Sequence, residues 1–492
     1  MAKEKKNITK PIERVEAGEL PPYEVDELPA PPPFGLKGIL QVIGPGAIIL
    51  GASIGSGEWL VGPAATVKYG VELLWITTVA AVLQGLLNME FIRYTLYTGE
   101  PIYSGFMRTK PGKPWGVIYT LLGFFQIGWP GWALSAATAL AAISLGRAPG
   151  KEDSGTVLFW GYVTFLIVIF ALAVGGKIER TLEKVSWFFL FMIFVFLIGV
   201  NFLVTTPRAH LGETFLALFK FGTVPAGADW TLLGAFAAYS AAGGVLNCAI
   251  TNWFRDKGFG MGGVVGYIPG AVGGRKVNLS PTGKIFRITP ENLRRWRDWW
   301  RYSTTDQWLI FVLGSLIGMF LTVNMATALI PHGTEIGGWS VANFQAVELA
   351  KIGGKLLWVL TALNGFWILF STQLSVSDGY IRQSTDALWV SDRVRNWCKG
   401  DVRILYYSLL AIFTVWGCIA INLAQPFILI LIGANTAGLV FVVSAIHVLI
   451  VNRKILPQEI KPPLWREIGV LACALFYAFF VGMLIGKQLG WW

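Results

Sequence analysis

One carboxylate concentrates the chemistry of this chain. Glu58 closes the run Ser53-Ile54-Gly55-Ser56-Gly57-Glu58-Trp59 within an otherwise apolar stretch. An ionisable group at membrane depth is costly to hold and is by default functional. The two glycines each lower helix propensity by about 1 kcal/mol relative to Ala, so a helix here opens near its middle and frees backbone groups. Beside freed carbonyls and the hydroxyls of Ser53 and Ser56, a carboxylate completes an all-oxygen set. A hard cation such as Mg²⁺ takes such ligands while keeping several waters. Glu58 is therefore the expected metal ligand, directly or through water. A carboxylate at this point also caps the half-helix that follows, and the two roles are compatible.

A second apolar stretch is interrupted in the same way, at Tyr239-Ser240-Ala241-Ala242-Gly243-Gly244. Ser240, Ala241 and Gly243, with Gly55 from the first run, complete the expected substrate site. Asn435, in Gly433-Ala434-Asn435-Thr436, is expected to add an oxygen. Small-residue runs also serve close helix packing. Two of them, five spans apart and one beside a carboxylate, instead fit an inverted-repeat transporter with a midplane site.

The elements that must position these residues follow from composition. Of 492 residues, 54% are hydrophobic and only 14% charged, against about 25% charged in an ordinary soluble domain. Mean hydropathy is +0.57. Apolar segments near 38-65, 73-95, 115-146, 156-175, 185-205, 228-254, 306-330, 355-377, 404-424, 426-450 and 467-489 predict an all-α polytopic membrane protein of about eleven spans. The expected organisation is a disordered proline-rich tail over 1-35, a first repeat over 36-205, a second over 206-454 with a long loop at 255-305, and a last span over 455-492. No secretory signal is expected before the first span.

Lys and Arg concentrate in cytoplasmic loops. With the N-terminus inside, 32 of the 40 fall on that face and 8 on the other. The expected orientation is N-terminus cytoplasmic and C-terminus outside, in a bacterial-type inner or plasma membrane. Most of the formal charge of +11 is then topology, and no nucleic-acid partner is needed. The expected partners are the lipid bilayer and a small cation or small-molecule substrate.

Several motifs are set aside. Gly258, Gly260 and Gly263 have a G-x-G-x-x-G spacing without the strand and helix of a dinucleotide site, and read as a flexible loop. Arg294 to Tyr302 mixes bases with Trp296, Trp299 and Trp300, which suits an interfacial helix on an anionic leaflet better than an RNA contact. Gln126, Trp129, Pro130 and Trp132 read as a kink and packing cluster. Glu90 is expected to pair with Arg93, Asp306 to cap the seventh span, and Asp378 to lie near the inner end of the eighth. Four cysteines without paired spacing, and His210, His332 and His447 far apart in sequence, assemble no metal cluster or catalytic triad. No catalytic residue, no cofactor and no enzyme activity are expected.

Gly44-Pro45-Gly46, Leu73-Leu74-Trp75, Thr98-Gly99 and Glu183 make residues 38 to 455 similar to the Nramp family of proton-coupled divalent-metal transporters. The resemblance implies a LeuT-type fold with two five-span halves, broken first and sixth spans, and alternating access. Three departures stand out. The family's first-span Asp-Pro-Gly-Asn, whose Asp and Asn bind metal, aligns with Gly55-Ser56-Gly57-Glu58. Its sixth-span Met-Pro-His aligns with Ala241-Ala242-Gly243, which removes the soft ligand for transition metals. The third span, Trp115 to Ile143, contains no acid and no histidine, so the family's proton relay is missing. These departures resemble the Nramp-related magnesium transporters, which implies Mg²⁺, with Mn²⁺ second, carried without proton coupling. Gly55-Ser56-Gly57 also resembles the first-span break of amino-acid permeases, where freed N-H groups hold a carboxylate. That alternative implies a small organic substrate.

Overall fold

The computed structural model describes residues 13–205 and 211–491; His210 and tail residues 1–12 lie outside them. Among the described residues nine helices are long and apolar enough to cross a membrane: Val71–Thr98, Pro114–Leu145, Lys151–Ala173, Ile178–Thr205, Pro290–Leu329, Gly338–Trp389, Val402–Ala420, Pro426–Ile455 and Leu464–Gln488. Two more spans are broken. The first joins Leu36–Val42 to Pro45–Tyr69 across a bend of 63°, and the sixth divides into Trp230–Tyr239 and Val245–Lys257. Counting the bent first pair as one span gives ten among the described residues, and the short apolar helix Trp230–Tyr239 with Val245–Lys257 as a broken sixth brings the count to about the eleven that the apolar pattern predicts.

Local sequence accounts for the interruptions. In the third span, the helix stops at Ile127 and restarts at Gly131, because Pro130 lacks an N–H to continue it. The expected kink is there. In the sixth span Ala241, Gly243 and Gly244 take φ values of 85°, 104° and 53°, a region that glycine enters freely and alanine only under strain. The eighth span packs against the first, third and fifth, so the first break lies inside the bundle.

One face carries the N-terminal segment and the long loop, and here the structure corrects two expectations. Residues 13–35 do not form a disordered tail. Arg14–Val15 pairs antiparallel with Tyr23–Asp26, which pairs in parallel with Lys284–Phe286 of the long loop. The proline-rich part is held by its carbonyls, since proline still accepts hydrogen bonds. Arg295 Nη1 donates to Leu28 O at 2.7 Å, Trp299 Nε1 to Pro29 O at 2.8 Å and Tyr302 Oη to Pro33 O at 2.9 Å.

The second correction concerns the basic-aromatic run. Helix Pro290–Thr305 continues directly into the seventh span, with Trp296, Trp299 and Tyr302 buried. The Arg93 guanidinium lies 4.1 Å from the Trp300 ring centre. These aromatics pack on protein rather than on a bilayer surface, while Arg294 and Arg297 point outward. The Gly258-Gly260 turn also has a structural cause. Both residues adopt left-handed φ, 93° and 54°, and a Cβ on Gly260 would lie 2.6 Å from Leu96 O.

Candidate functional site

The first span stops being regular at Ser53 and resumes as a wide turn over Gly57–Val61. Ser53 Oγ donates back to Ile49 O at 2.7 Å. Gly57 lies against the sixth-span break so closely that a Cβ would sit 1.9 Å from Tyr239 O. The two breaks therefore touch through backbone, and only glycine permits it.

Glu58 joins them. It is fully buried; Oε2 accepts from Gly55 N and Oε1 from Ala241 N, each at 3.2 Å. No ion pair reaches it among the described residues. The capping role is thus present in both breaks at once.

Two glutamines hold the rest of the opened sixth span. Gln84 Nε2 donates to Ser240 O at 2.8 Å, and Gln84 Oε1 accepts from Ala242 N at 2.9 Å. Gln126 Nε2 donates to Gly243 O at 2.9 Å, and its Oε1 accepts from Val245 N at 3.0 Å. A side-chain amide carries one donor and one acceptor group, so each glutamine replaces the backbone partners that unwinding removed.

A small cavity lies where these parts meet, lined by Ser53, Ser56, Gln126, Tyr239, Ala241 and Thr372 among others. It has space for about one water molecule. Thr372 and its neighbour Ser371, on the eighth span, donate to Ala52 O at 3.0 Å and Gly51 O at 2.6 Å. No lysine or arginine lines the cavity.

Of the residues expected at the site, Ser53, Ser56 and Ala241 line this cavity. Gly55 lies behind it, against the Thr372 hydroxyl, and Gly243 contributes a carbonyl bound by Gln126. Glu58 does not line the cavity itself; it is engaged with both breaks through Gly55 N and Ala241 N. Ser240 turns away to Thr77, 3.0 Å between hydroxyls. Asn435 does not reach the breaks: its amide donates to Thr231 O at 3.0 Å and Leu431 O at 2.8 Å, tying the tenth span to the N-terminal half of the sixth. Its helix presents it to that half rather than to the break. Gln84 and Thr372 were not expected, and Gln126 lines the cavity besides marking the kink. The available signal was a polar amide in each of two apolar spans.

From the sixth-span break a line of amides runs toward the loop face. Gln84 Oε1 accepts from Asn247 Nδ2 at 3.2 Å, Asn247 Nδ2 also reaches Asn88 Oδ1 at 2.9 Å, and Asn88 Nδ2 donates to Gln307 Oε1 at 2.9 Å. Gln307 Nε2 then donates to Asp306 Oδ2 at 2.9 Å, whose Oδ1 accepts from Gly44 N at 3.3 Å. Asp306 thus caps the start of the first span's main segment and not, as expected, its own span, whose helix runs from Pro290 straight through it.

Beside this line lies a cluster of buried charges. Arg382 holds Asp378 at 2.7 Å and also Asp256; Arg255 holds Asp256 at 2.7 Å and Asp386 at 2.6 Å. Trp253 and Tyr406 add donors to Asp378 at 2.8 and 2.6 Å. Lys257 pairs with Glu183, whose carboxylate lies against Gly44. Glu90 pairs with Arg93 at 2.7 Å. His447 is buried between Thr109 and Tyr119, at 2.7 and 2.9 Å. Among the described residues, no group of three or more His, Cys, Asp and Glu could hold a metal ion.

No protein-family model and no curated protein matches the chain. Solved structures do. The manganese transporter of Eremococcus coleocola, in complex with an aromatic bis-isothiourea substituted compound, matches with a TM-score of 0.63 at 16% identity, over 94% of this chain and 90% of that one. A mutant of that transporter matches with a TM-score of 0.62 at 15% identity, over 94% and 90%. Mhp1, a nucleobase-cation-symport-1 family transporter in a closed conformation with bromovinylhydantoin bound, matches at 0.51 and 12% identity, over 91% and 93%. Fold and broken spans together define an integral membrane protein of the LeuT-type transporter fold. Within that fold the likeness is stronger to the manganese transporter than to Mhp1.

Proposed function

We propose that this protein is a secondary transporter of a hard divalent cation, Mg²⁺ first and Mn²⁺ second, working by alternating access. The observation that carries this reading is Glu58. Among the described residues it is the one acidic side chain that joins the two breaks, and no basic side chain pairs with it or lines the cavity beside it. An isolated buried charge is costly without a counter-ion, and a bound cation supplies one. Ser53, Ser56, Thr372, Gln126 and the carbonyls near Ala241 offer further oxygens of the kind Mg²⁺ accepts, directly or through its water shell.

Transport runs without proton coupling in this reading. The polar line from the break to Asp306 consists of amides, Gln84, Asn247, Asn88 and Gln307, which do not titrate near neutral pH. The charge count supports an N-terminus in the cytoplasm, so that the loop face is the inner one.

The test is flux into proteoliposomes holding purified protein, with a pH-sensitive dye inside and Glu58→Gln beside wild type. Uptake of Mg²⁺ that vanishes in the mutant, without internal acidification, is expected. Absence of Mg²⁺ and Mn²⁺ flux through stable wild-type protein would sink the cation reading and favour an organic substrate.

A further inference from the structure

We propose that the fifth span and the long loop together form a binding site for an anionic phospholipid of the inner leaflet. The headgroup half of the site is an open groove on the loop face, lined by Lys177, Arg180, Lys184, Tyr267 and Arg275 together with glycine backbone. The loop is fastened there as a wall: Gly175 N donates to Val272 O and Val272 N to Ala173 O, both at 2.9 Å, and Ala271 N donates to Tyr407 Oη at 2.9 Å.

The charges in this groove are uncompensated. Among the described residues Arg180, Lys184 and Arg275 make no side-chain hydrogen bond or ion pair, and Lys177 Nζ lies 4.0 Å from the Tyr267 ring centre and 3.4 Å from Asp256 O. The nearby acids do not neutralise the groove: Glu183 pairs with Lys257, Asp256 with Arg255 and Arg382, and Glu179 is buried away from it without an ion pair among the described residues. Four cations converging on a concave, glycine-lined surface suit a phosphate, whose oxygens accept from guanidinium and ammonium groups.

The acyl half continues along the same helix. Arg180, Lys184, Trp187, Phe191 and Val195 follow one another at spacings of three or four residues, which places them along one side of the fifth span. Beyond Lys184 that side forms an apolar groove against the seventh span, where Trp187, Phe191 and Ile198 face Leu309 and Ile317. Bases at one end of an apolar channel match a membrane phospholipid, whereas a soluble phosphate would use only the basic end. The inner-leaflet assignment rests on the orientation proposed above; the site itself does not depend on the transported substrate.

Native mass spectrometry of the full chain tests this, with phosphatidylglycerol, phosphatidylcholine and soluble glycerol 3-phosphate as probes. Wild type should retain phosphatidylglycerol over phosphatidylcholine. The double variant Arg180→Gln with Lys184→Gln should weaken that preference on the order of tenfold. Arg294→Gln with Arg297→Gln, which removes equal charge from exposed positions of the same face outside the groove, should leave it intact. Three results would overturn the proposal: no preference in wild type, equal loss in both double variants, or glycerol 3-phosphate competing as well as the lipid itself.

Discussion

The two faces of the bundle are closed by different means. On the loop face the seal is buried and ionic, with Arg382 and Arg255 shared among Asp256, Asp378 and Asp386. On the opposite face it is light: Lys68 meets Glu335 at 2.8 Å and Lys487 meets Asp229 at 3.1 Å, all partly or largely exposed. Exposed pairs contribute little, whereas removing one member of a buried pair strands a charge. In the alternating-access cycle proposed above, the opposite face is then the easier one to open and the loop face needs the larger driving force. The cavity at the breaks is lined by neither kind of pair, and Glu58 joins the breaks beside it.

The largest expected effect breaks the heavier seal. Arg382→Met leaves Asp378 and Asp256 short of a cation and should cost roughly 3–5 kcal/mol, seen as a lower unfolding temperature in detergent. An unchanged temperature would show that the cluster does not close this face. Gly57→Ala comes next. Its Cβ has no room against Tyr239 O, so the breaks must separate at about 1–3 kcal/mol, and flux should fall with them.

Smaller effects sharpen the picture of the loop face. Tyr23 Oη lies 2.9 Å from Tyr94 Oη and donates to Glu100 at 3.2 Å, so Tyr23→Phe should loosen the N-terminal strap by roughly 1 kcal/mol. The readout is faster hydrogen exchange at Glu19 and Val25, whose amides bind Arg108 O and Glu13 O. Acid should act in the same direction. Burial pushes the Glu100 carboxyl up, but the Arg108 charge and hydrogen bonds outweigh it and hold the group below its ordinary 4.5. With the folded pKa below the unfolded one, ionised Glu100 stabilises fully above about pH 4.5 and loses that contribution as pH falls through its folded value. Exchange that stays slow in acid would contradict this. Smallest of all, Lys68→Gln on the opposite face should leave unfolding unchanged, as expected of an exposed pair.

The sequence showed the breaks more clearly than it showed their supports. Gly55, Gly57, Gly243 and Gly244 weaken a helix by themselves, and a carboxylate among them is visible in any apolar stretch. Gln84 carries no formal charge and lies in a regular helix, so nothing local announced that it bonds a neighbouring span. Asn435 misled because its place in a small-residue run does not fix which side of the helix it occupies. The strap over residues 13–35 was hidden for a related reason: proline-rich composition excludes a core of its own, yet leaves carbonyls that Arg295, Trp299 and Tyr302 can bind.

The central claim is that Glu58 makes the joined breaks a cation site. Isothermal titration of Mg²⁺ into purified wild type and Glu58→Gln tests it most directly. The account predicts saturable binding by wild type and none by a mutant that unfolds at a similar temperature. Equal binding by both proteins, or none by either, would contradict it.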